Sequence, residues 1–337
     1  MTDSPIPLDP LPYHRLSRLT HRTGRWWRPL LVLLVGLGLT VAATLIAVVV
    51  GVIGMAVDEL GGPLPAPSEE WDDATNPMDY LLLLGTLAMF VPVVVLAFRW
   101  AGGRRGPMAG TLHSVAGHFR WGLLGRAALV VLPVYIVINI GGFFLLPPDD
   151  LAVPRGGASL AACYVVIVLL TPFQCAAEEY LFRALPQQML GTWLKAPFWG
   201  IVLPVPLFML GHGYDAWGQV DIALFALCTG LLVWKSGGVE LSIVLHVSNN
   251  LPLFLVGPFS ASSMAQGDTG GPTALALSVV PLVLVTAGMW WWVSRREGVG
   301  LWEPVRGTGR SGQQCWDASA RPDGLPATQQ TVGVDAR

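Results

Sequence analysis

The sequence predicts an all-α protein, a polytopic transmembrane helix bundle of about eight spans. Three observations carry that prediction. Hydrophobic residues make up 53% of the 337-residue chain and charged residues only 12%, where a soluble domain carries about a quarter charged residues. The apolar residues come in long uninterrupted runs. The charges fall between those runs and change sign from one gap to the next.

Taken in order, residues 1–29 form a basic tail, with Pro5, Pro7, Pro10 and Pro12 early and an interfacial turn expected at Trp26 and Trp27. The first apolar run, Leu30 to Val57, is far longer than the roughly 7–15 residues of a signal-peptide core. It reaches the length of about 20 residues that a membrane span needs, so a retained helix is expected. Further runs cover about 80–98, 122–146, 158–182, 197–212, 220–235, 239–257 and 274–293. In lipid the backbone must satisfy its own hydrogen bonds, so these runs are helices rather than strands. The runs 197–212 and 220–235 are marginal in length. Residues 108–121 read either as an amphipathic helix on the surface, with Leu112, Val115, Phe119 and Leu123 on one face, or as a short connecting loop. Residues 296–337, rich in Gly, Gln, Arg and Pro, are expected to be a disordered tail.

The gaps assign an orientation. Arg15, Arg18, Arg22, Arg25 and Arg28 precede the first run. The next gap, 58–79, holds Asp58, Glu59, Glu69, Glu70, Asp72, Asp73 and Asp79 and no Lys or Arg. Arg99, Arg104 and Arg105 follow, then Asp149 and Asp150 against Arg155, then Lys195, Asp215, Lys235, Asp268, and last Arg295 and Arg296. Basic loops stay cytoplasmic, so both termini are expected in the cytoplasm of a multi-pass protein of the cell membrane, with the lipid bilayer as its solvent. The formal net charge of -2 gives no reason to expect a nucleic-acid partner. Cys163, Cys175, Cys228 and Cys315 have no metal-binding spacing, and three lie in apolar runs, where a thiol behaves as a small hydrophobe.

Ionisable residues within apolar runs are costly and by default mark function. Three clusters stand out. In Glu178-Glu179-Tyr180-Leu181-Phe182-Arg183, adjacent carboxylates on a helix point about 100° apart. Glu179 and Arg183, spaced i,i+4, can pair, which leaves Glu178 to face a cavity; the other reading is an ion-pair clasp at a helix end. His212, in Phe208-Met209-Leu210-Gly211-His212-Gly213, closes a run between two glycines and reads alone as a cap or interfacial residue. His246 and Asn250 share a helix face. They offer two N–H donors suited to an oxyanion, or else an interhelical glue. His14, His21, His113 and His118 are expected to be solvated, and Trp290-Trp291-Trp292 beside Arg295 and Arg296 an interfacial anchor.

In this order the three clusters resemble the CPBP family of intramembrane proteases, which includes CAAX prenyl endopeptidases and bacteriocin-processing or immunity (ABI-like) proteins. The family pattern is E-E-x-x-x-R, F-x-x-x-H and H-x-x-x-N, read here as EEYLFR at 178–183, FMLGH at 208–212 and HVSNN at 246–250. Ala184 replaces the glycine that often follows the arginine. The resemblance covers roughly 155–257. It makes 147–257 a CPBP-like catalytic core, preceded by N-terminal helices at 30–146 and followed by a last helix within 258–295.

The resemblance implies an intramembrane endopeptidase acting on a peptide or protein near the cytoplasmic face. Glu178 would be the general base, His212 the partner that positions water, His246 and Asn250 the oxyanion donors, and Glu179 and Arg183 the frame. No metal cofactor is expected, although Glu178, His212 and His246 offer a His₂Glu set of the kind some catalytic zinc sites use. The Asn four residues after His246 suits oxyanion work better than zinc ligation. Two alternatives stand beside this: a non-catalytic membrane partner, such as an immunity or scaffold protein, and a small transporter. The transporter is disfavoured by the lack of an inverted repeat. Orientation sets one condition. Arg183 belongs toward the cytoplasmic end of its helix and His212 toward the other end, so Glu178 must lie deeper or His212 must be drawn inward.

Overall fold

The structure is a computed structural model that describes residues 10–19, 26–62, 65–101, 110–154, 156–264, 267 and 270–309. Among the described residues, seven helical segments are long and apolar enough to cross a membrane. The first is α1 (Arg28–Glu59), which starts on Pro29 at its first turn, a position where the missing N–H costs nothing. The second joins α2 (Pro77–Ala88) to α3 (Phe90–Trp100), and Asn76 caps it by accepting from the Met78 N–H at 2.9 Å. The third joins α4 (Trp121–Tyr135), a π-helical turn (Ile136–Ile140) and α5 (Gly141–Leu145).

The fourth is the longest, 36 residues from Ala158 to Trp193. It is built from α6 (Ala158–Glu179), a second π-helical turn (Tyr180–Ala184) and α7 (Leu185–Trp193). Two short helices follow, α8 (Phe198–Val202) and α9 (Val205–Leu210). Three long helices close the fold: α10 (Ala216–Ser236), α11 (Glu240–Val256) and α12 (Gly271–Glu297).

The bundle has an inner helix and an outer one. α11 packs against α4, α6 and α10, and 61% of its most apolar window is buried, against 11% for α1, which rests on α2 and α3 along one side. The motif-bearing α6 and α11 therefore lie where side chains meet other side chains. Most of α1 meets lipid.

Four expectations change. The run 197–212 does not make a long span. Pro204 and Pro206 break it into α8 and α9, and Phe198 to Leu210 reaches only about 20 Å at 1.5 Å per residue, short of a hydrocarbon core of about 30 Å. The run expected over 158–182 continues as one helical segment to Trp193, with Pro172 inside it. Of the alternatives for 108–121, the described part is the connecting loop: a single turn at 110–112 and then an irregular segment bridged by Ser114 to Gly238, with Leu112 and Val115 buried.

The fourth concerns the tails, which are partly folded. Residues Leu11–Pro12 form β1, which pairs antiparallel with β2 (Arg306–Gly307), so segments near both ends of the chain meet. A 3-10 helix (Tyr13–Arg18) follows β1 and packs on α7 with Tyr13 and Leu16 fully buried. Arg15 donates to the Gly191 and Leu194 carbonyls at 2.8 and 3.1 Å, and Arg18 to Thr192 O at 2.7 Å. These are carbonyls that a helix C-terminus leaves without an intrahelical partner. The approach is close enough that a Cβ at Gly191 would fall 1.6 Å from the His14 carbonyl oxygen.

At the other end of the chain, the Gly300, Leu301 and Glu303 carbonyls surround Lys235 Nζ at 2.7, 3.0 and 2.6 Å. His14 is thus buried, accepted by Lys195 O at 3.0 Å, and His113 is half-buried and bonded to the Tyr180 hydroxyl; neither is solvated. His118 is exposed, as expected. His21, and residues 310–337 of the expected tail, lie outside the described residues.

Candidate active site

α6 ends where the site begins. Glu178 and Glu179 are its last two residues, and the following turn is π-helical, a local widening that often marks functional positions. The two carboxylates diverge. Glu179 is fully buried and accepts from His246 Nδ1 at 2.8 Å, with Arg183 Nη1 at 3.4 Å from the same oxygen. The Arg183 guanidinium is buried and lies 4.0 Å over the Phe208 ring. Glu178 points elsewhere. Its Oε1 accepts from Gln174 Nε2 at 2.7 Å, and its Oε2 lies 3.5 Å from His246 Nε2.

His246, on α11, is 2% exposed and stands between the two glutamates, one ring nitrogen toward each. Phe225 meets its ring edge-on at 4.8 Å. One turn further along α11, Asn249 donates to Asn250 Oδ1 at 3.0 Å. That bond turns the Asn250 amide so that its NH₂ is the edge left for another acceptor. Asn249 is itself held from below: Asn139, in the first π-helical turn, donates to its carbonyl at 2.9 Å.

His212 follows α9. Its Nδ1 lies 2.9 Å from the Phe208 carbonyl. A carbonyl only accepts, so Nδ1 carries the proton and Nε2 of the neutral ring presents a lone pair. The Phe208 ring also meets the His212 ring at 4.7 Å, tilted by 52°, and the Phe182 ring edge-on at 5.1 Å. The phenylalanine of the second motif thus joins the arginine of the first to the histidine of the second.

Glu178, His212, Asn250 and Gln174 line one cavity of about 360 Å³. Tyr214 and Ser263 add hydroxyl groups, and the rest of its wall is mostly apolar, including Leu83, Leu87 and Phe90 from α2 and α3, Leu181, Phe182 and Phe254. Glu178 and His212, expected toward opposite ends of their helices, line this one cavity. Glu178 lies about 22 Å, at 1.5 Å per residue, before the end of its helix at Trp193. His212 is drawn in because α8 and α9 are short.

Of the residues expected at the site, the cavity brings together Glu178, His212 and Asn250. His246 stands behind Glu178, and Glu179 and Arg183 are not on the cavity wall. Gln174 and Asn139 were not singled out from sequence. Gln174 carries a readable signal, since it precedes Glu178 by four residues on the same helix face; Asn139 comes from a distant segment and has none.

The His₂Glu zinc set does not gather as placed. Among the described residues no three His, Cys, Asp or Glu side chains form a group able to hold a metal, and His246 commits its Nδ1 to Glu179.

Residues 159–252 match the family model described as type II CAAX prenyl endopeptidase Rce1-like, and all three motifs fall within that stretch. The resemblance read from the motifs is therefore borne out over this segment, which is similar to a family described as prenyl endopeptidases. A protein of Bacillus subtilis (strain 168), described as uncharacterized protein YyaK, is 25% identical over 167 residues, which is 45% of this chain and 56% of that protein. The chain thus spans about half the length of the curated relative it matches. No solved structure matches it.

Proposed function

We propose that this multi-pass membrane protein is an endopeptidase that hydrolyses a peptide bond with a water molecule activated by Glu178. The observation that carries the reading is that Glu178, His212 and Asn250 all open onto the same cavity.

In the proposed reaction a water accepted by His212 Nε2 and by Glu178 is aimed at the scissile carbonyl carbon. Glu178 takes its proton as the carbon–oxygen bond forms. Gln174 holds the carboxylate by its Oε1, so the attacking geometry does not depend on a freely rotating side chain. A general base in this position supplies about 10²- to 10⁴-fold in rate. The oxyanion that develops receives the Asn250 amide N–H and His246 Nε2–H. His246 donates a hydrogen bond from Nδ1–H to Glu179, so donation from Nε2 as well requires a ring that carries both protons. Each such donor is worth about 10²- to 10³-fold. The carbon–nitrogen bond then breaks and the leaving amine takes the proton held by Glu178. Glu179 and Arg183 fix His246 and Phe208 and touch no reacting atom. No step of the proposed reaction runs through a metal.

The substrate is a peptide or protein segment that can reach the bundle interior. The reading keeps both termini in the cytoplasm. In support, β1 pairs with β2, which carries Arg306, and Arg15 and Arg18 follow β1, as basic cytoplasmic flanks do.

The test compares new protein termini in membranes that carry wild type or Glu178→Gln. The reading expects a set of cleavage products that disappears in the variant while the variant accumulates and inserts normally. Identical product sets, with full phenotypic rescue by Glu178→Gln, would overturn it in favour of a non-catalytic membrane partner.

A further inference from the structure

A second cavity, of about 510 Å³, lies between α4 and α12 and shares no lining residue with the catalytic one. Its walls are Val130, Val131 and Val134 on α4 and Val285 and Met289 on α12. Along α4 it runs from Arg126 to Val134, about 12 Å at 1.5 Å per residue. That is most of one leaflet's share, about 15 Å, of the hydrocarbon core. Gly288 borders it, and a Cβ built there would meet no atom within 4 Å. The glycine therefore leaves the groove open rather than allowing a close helix contact.

One end of the groove is cationic. Arg126 lines it and is exposed, and its Nη2 folds back toward the helix start, 3.6 Å from where a Gly122 Cβ would stand. That is the posture of a snorkelling side chain. Trp291 and Trp292 close the same end, with Arg295 over Trp291 at 5.6 Å and Arg296 over Trp292 at 5.4 Å. Arg296 is paired with Glu297. Among the described residues, Arg126 and Arg295 have no carboxylate within ion-pair distance.

We propose that this groove binds one acyl chain of an anionic phospholipid, with its phosphate held at Arg126 and Arg295. The groove's length and wall chemistry fit a hydrocarbon chain. Arg126 is the charged residue of its lining, Arg295 stands over Trp291 at its mouth, and the nearby carboxylate, Glu297, is paired with Arg296. The charge therefore selects an anionic headgroup over a zwitterionic one, as basic pockets between transmembrane helices do.

The experiment is native mass spectrometry of the full chain purified in detergent. The probes are dioleoyl phosphatidylglycerol and dioleoyl phosphatidylethanolamine, which share the same chains. Wild type is expected to retain phosphatidylglycerol at least about fivefold more strongly, the factor that one basic residue near a headgroup provides. Arg126→Gln removes that preference and leaves phosphatidylethanolamine retention unchanged. Gly288→Leu fills the groove and lowers retention of both, while Gly288→Ala retains both as wild type does. If Gly288→Leu does not fold, Val134→Phe fills the groove from the opposite wall and reads the same outcome. Equal retention of the two lipids by wild type, or undiminished phosphatidylglycerol retention in a folded groove-filled variant, would overturn the proposal.

Discussion

Two groups of buried charge lie at different levels of this bundle, and they are built differently. At the end where the termini meet, Glu240 is fully buried and saturated. It accepts from the Arg120 backbone N–H at 2.8 Å, from Arg120 Nε at 3.0 Å and from Nη2 at 2.7 Å, and Arg120 also donates to Ser236 O. Lys235, one helix end away, is closed by three carbonyls. Around Glu178 the saturation fails. Among the described residues, Glu179 Oε2 and both Arg183 terminal nitrogens have no hydrogen bond of ordinary geometry, and Glu178 opens on a cavity. Native structures rarely leave buried polar atoms in that state without a reason. The comparison teaches that buried charge alone does not mark a site. The saturated group holds the fold; next to the unsaturated Glu179–Arg183 pair, Glu178 faces a void.

The largest effect that would break this contrast is at Glu240. Glu240→Ala strands Arg120 at a partly buried position and is expected to cost about 3–5 kcal/mol, the usual loss when one partner of a buried pair is removed. Thermal melting in detergent reads it, and activity per folded molecule should persist. Loss of activity without loss of stability would place Glu240 in the site.

A smaller effect sharpens the other side. Gln174→Met keeps the side-chain volume but removes the donor to Glu178, so kcat should fall about 10- to 100-fold, as for a small misplacement of a reacting group. KM and melting should stay unchanged. An unaltered kcat would show that Glu178 needs no such support.

The smallest effect concerns the docked N-terminal segment. Burial pushes the His14 imidazole below the ordinary histidine range, against the opposing hydrogen bond to the Lys195 carbonyl. The folded value lies below the unfolded one, so a proton favours the undocked segment. Docking is therefore complete above the ordinary histidine range and weakens as pH falls through it. Hydrogen exchange over residues 13–18 should rise on acidification in wild type and respond less in His14→Gln. No change with pH in wild type would contradict this.

Much of the fold was legible because lipid imposes one pattern on every span, a long apolar run. The run 197–212 misled because two prolines break a segment whose composition is otherwise that of a span. The tails misled for a different reason. Arg15, Arg18 and Lys235 bind backbone carbonyls far away in sequence, and no local pattern announces a carbonyl. At the site, the i,i+4 spacings of Glu179 with Arg183 and of His246 with Asn250 could be read directly. The depth of Glu178, on which the cavity depends, could not, because it follows from how far the helix Ala158–Trp193 continues past the site. His246 shows the same limit. Its place on α11 was readable, but its position between two carboxylates is set by how α6 and α11 pack.

The central claim is that Glu178 performs the chemistry and Glu240 holds the structure. The most direct test measures melting temperature and turnover together for Glu178→Gln and Glu240→Gln, on a peptide substrate drawn from the wild-type cleavage products. The account predicts that Glu178→Gln melts as wild type does and has lost at least about 10²-fold in turnover, whereas Glu240→Gln melts lower and turns over normally per folded molecule. Wild-type turnover by a folded Glu178→Gln protein would contradict it.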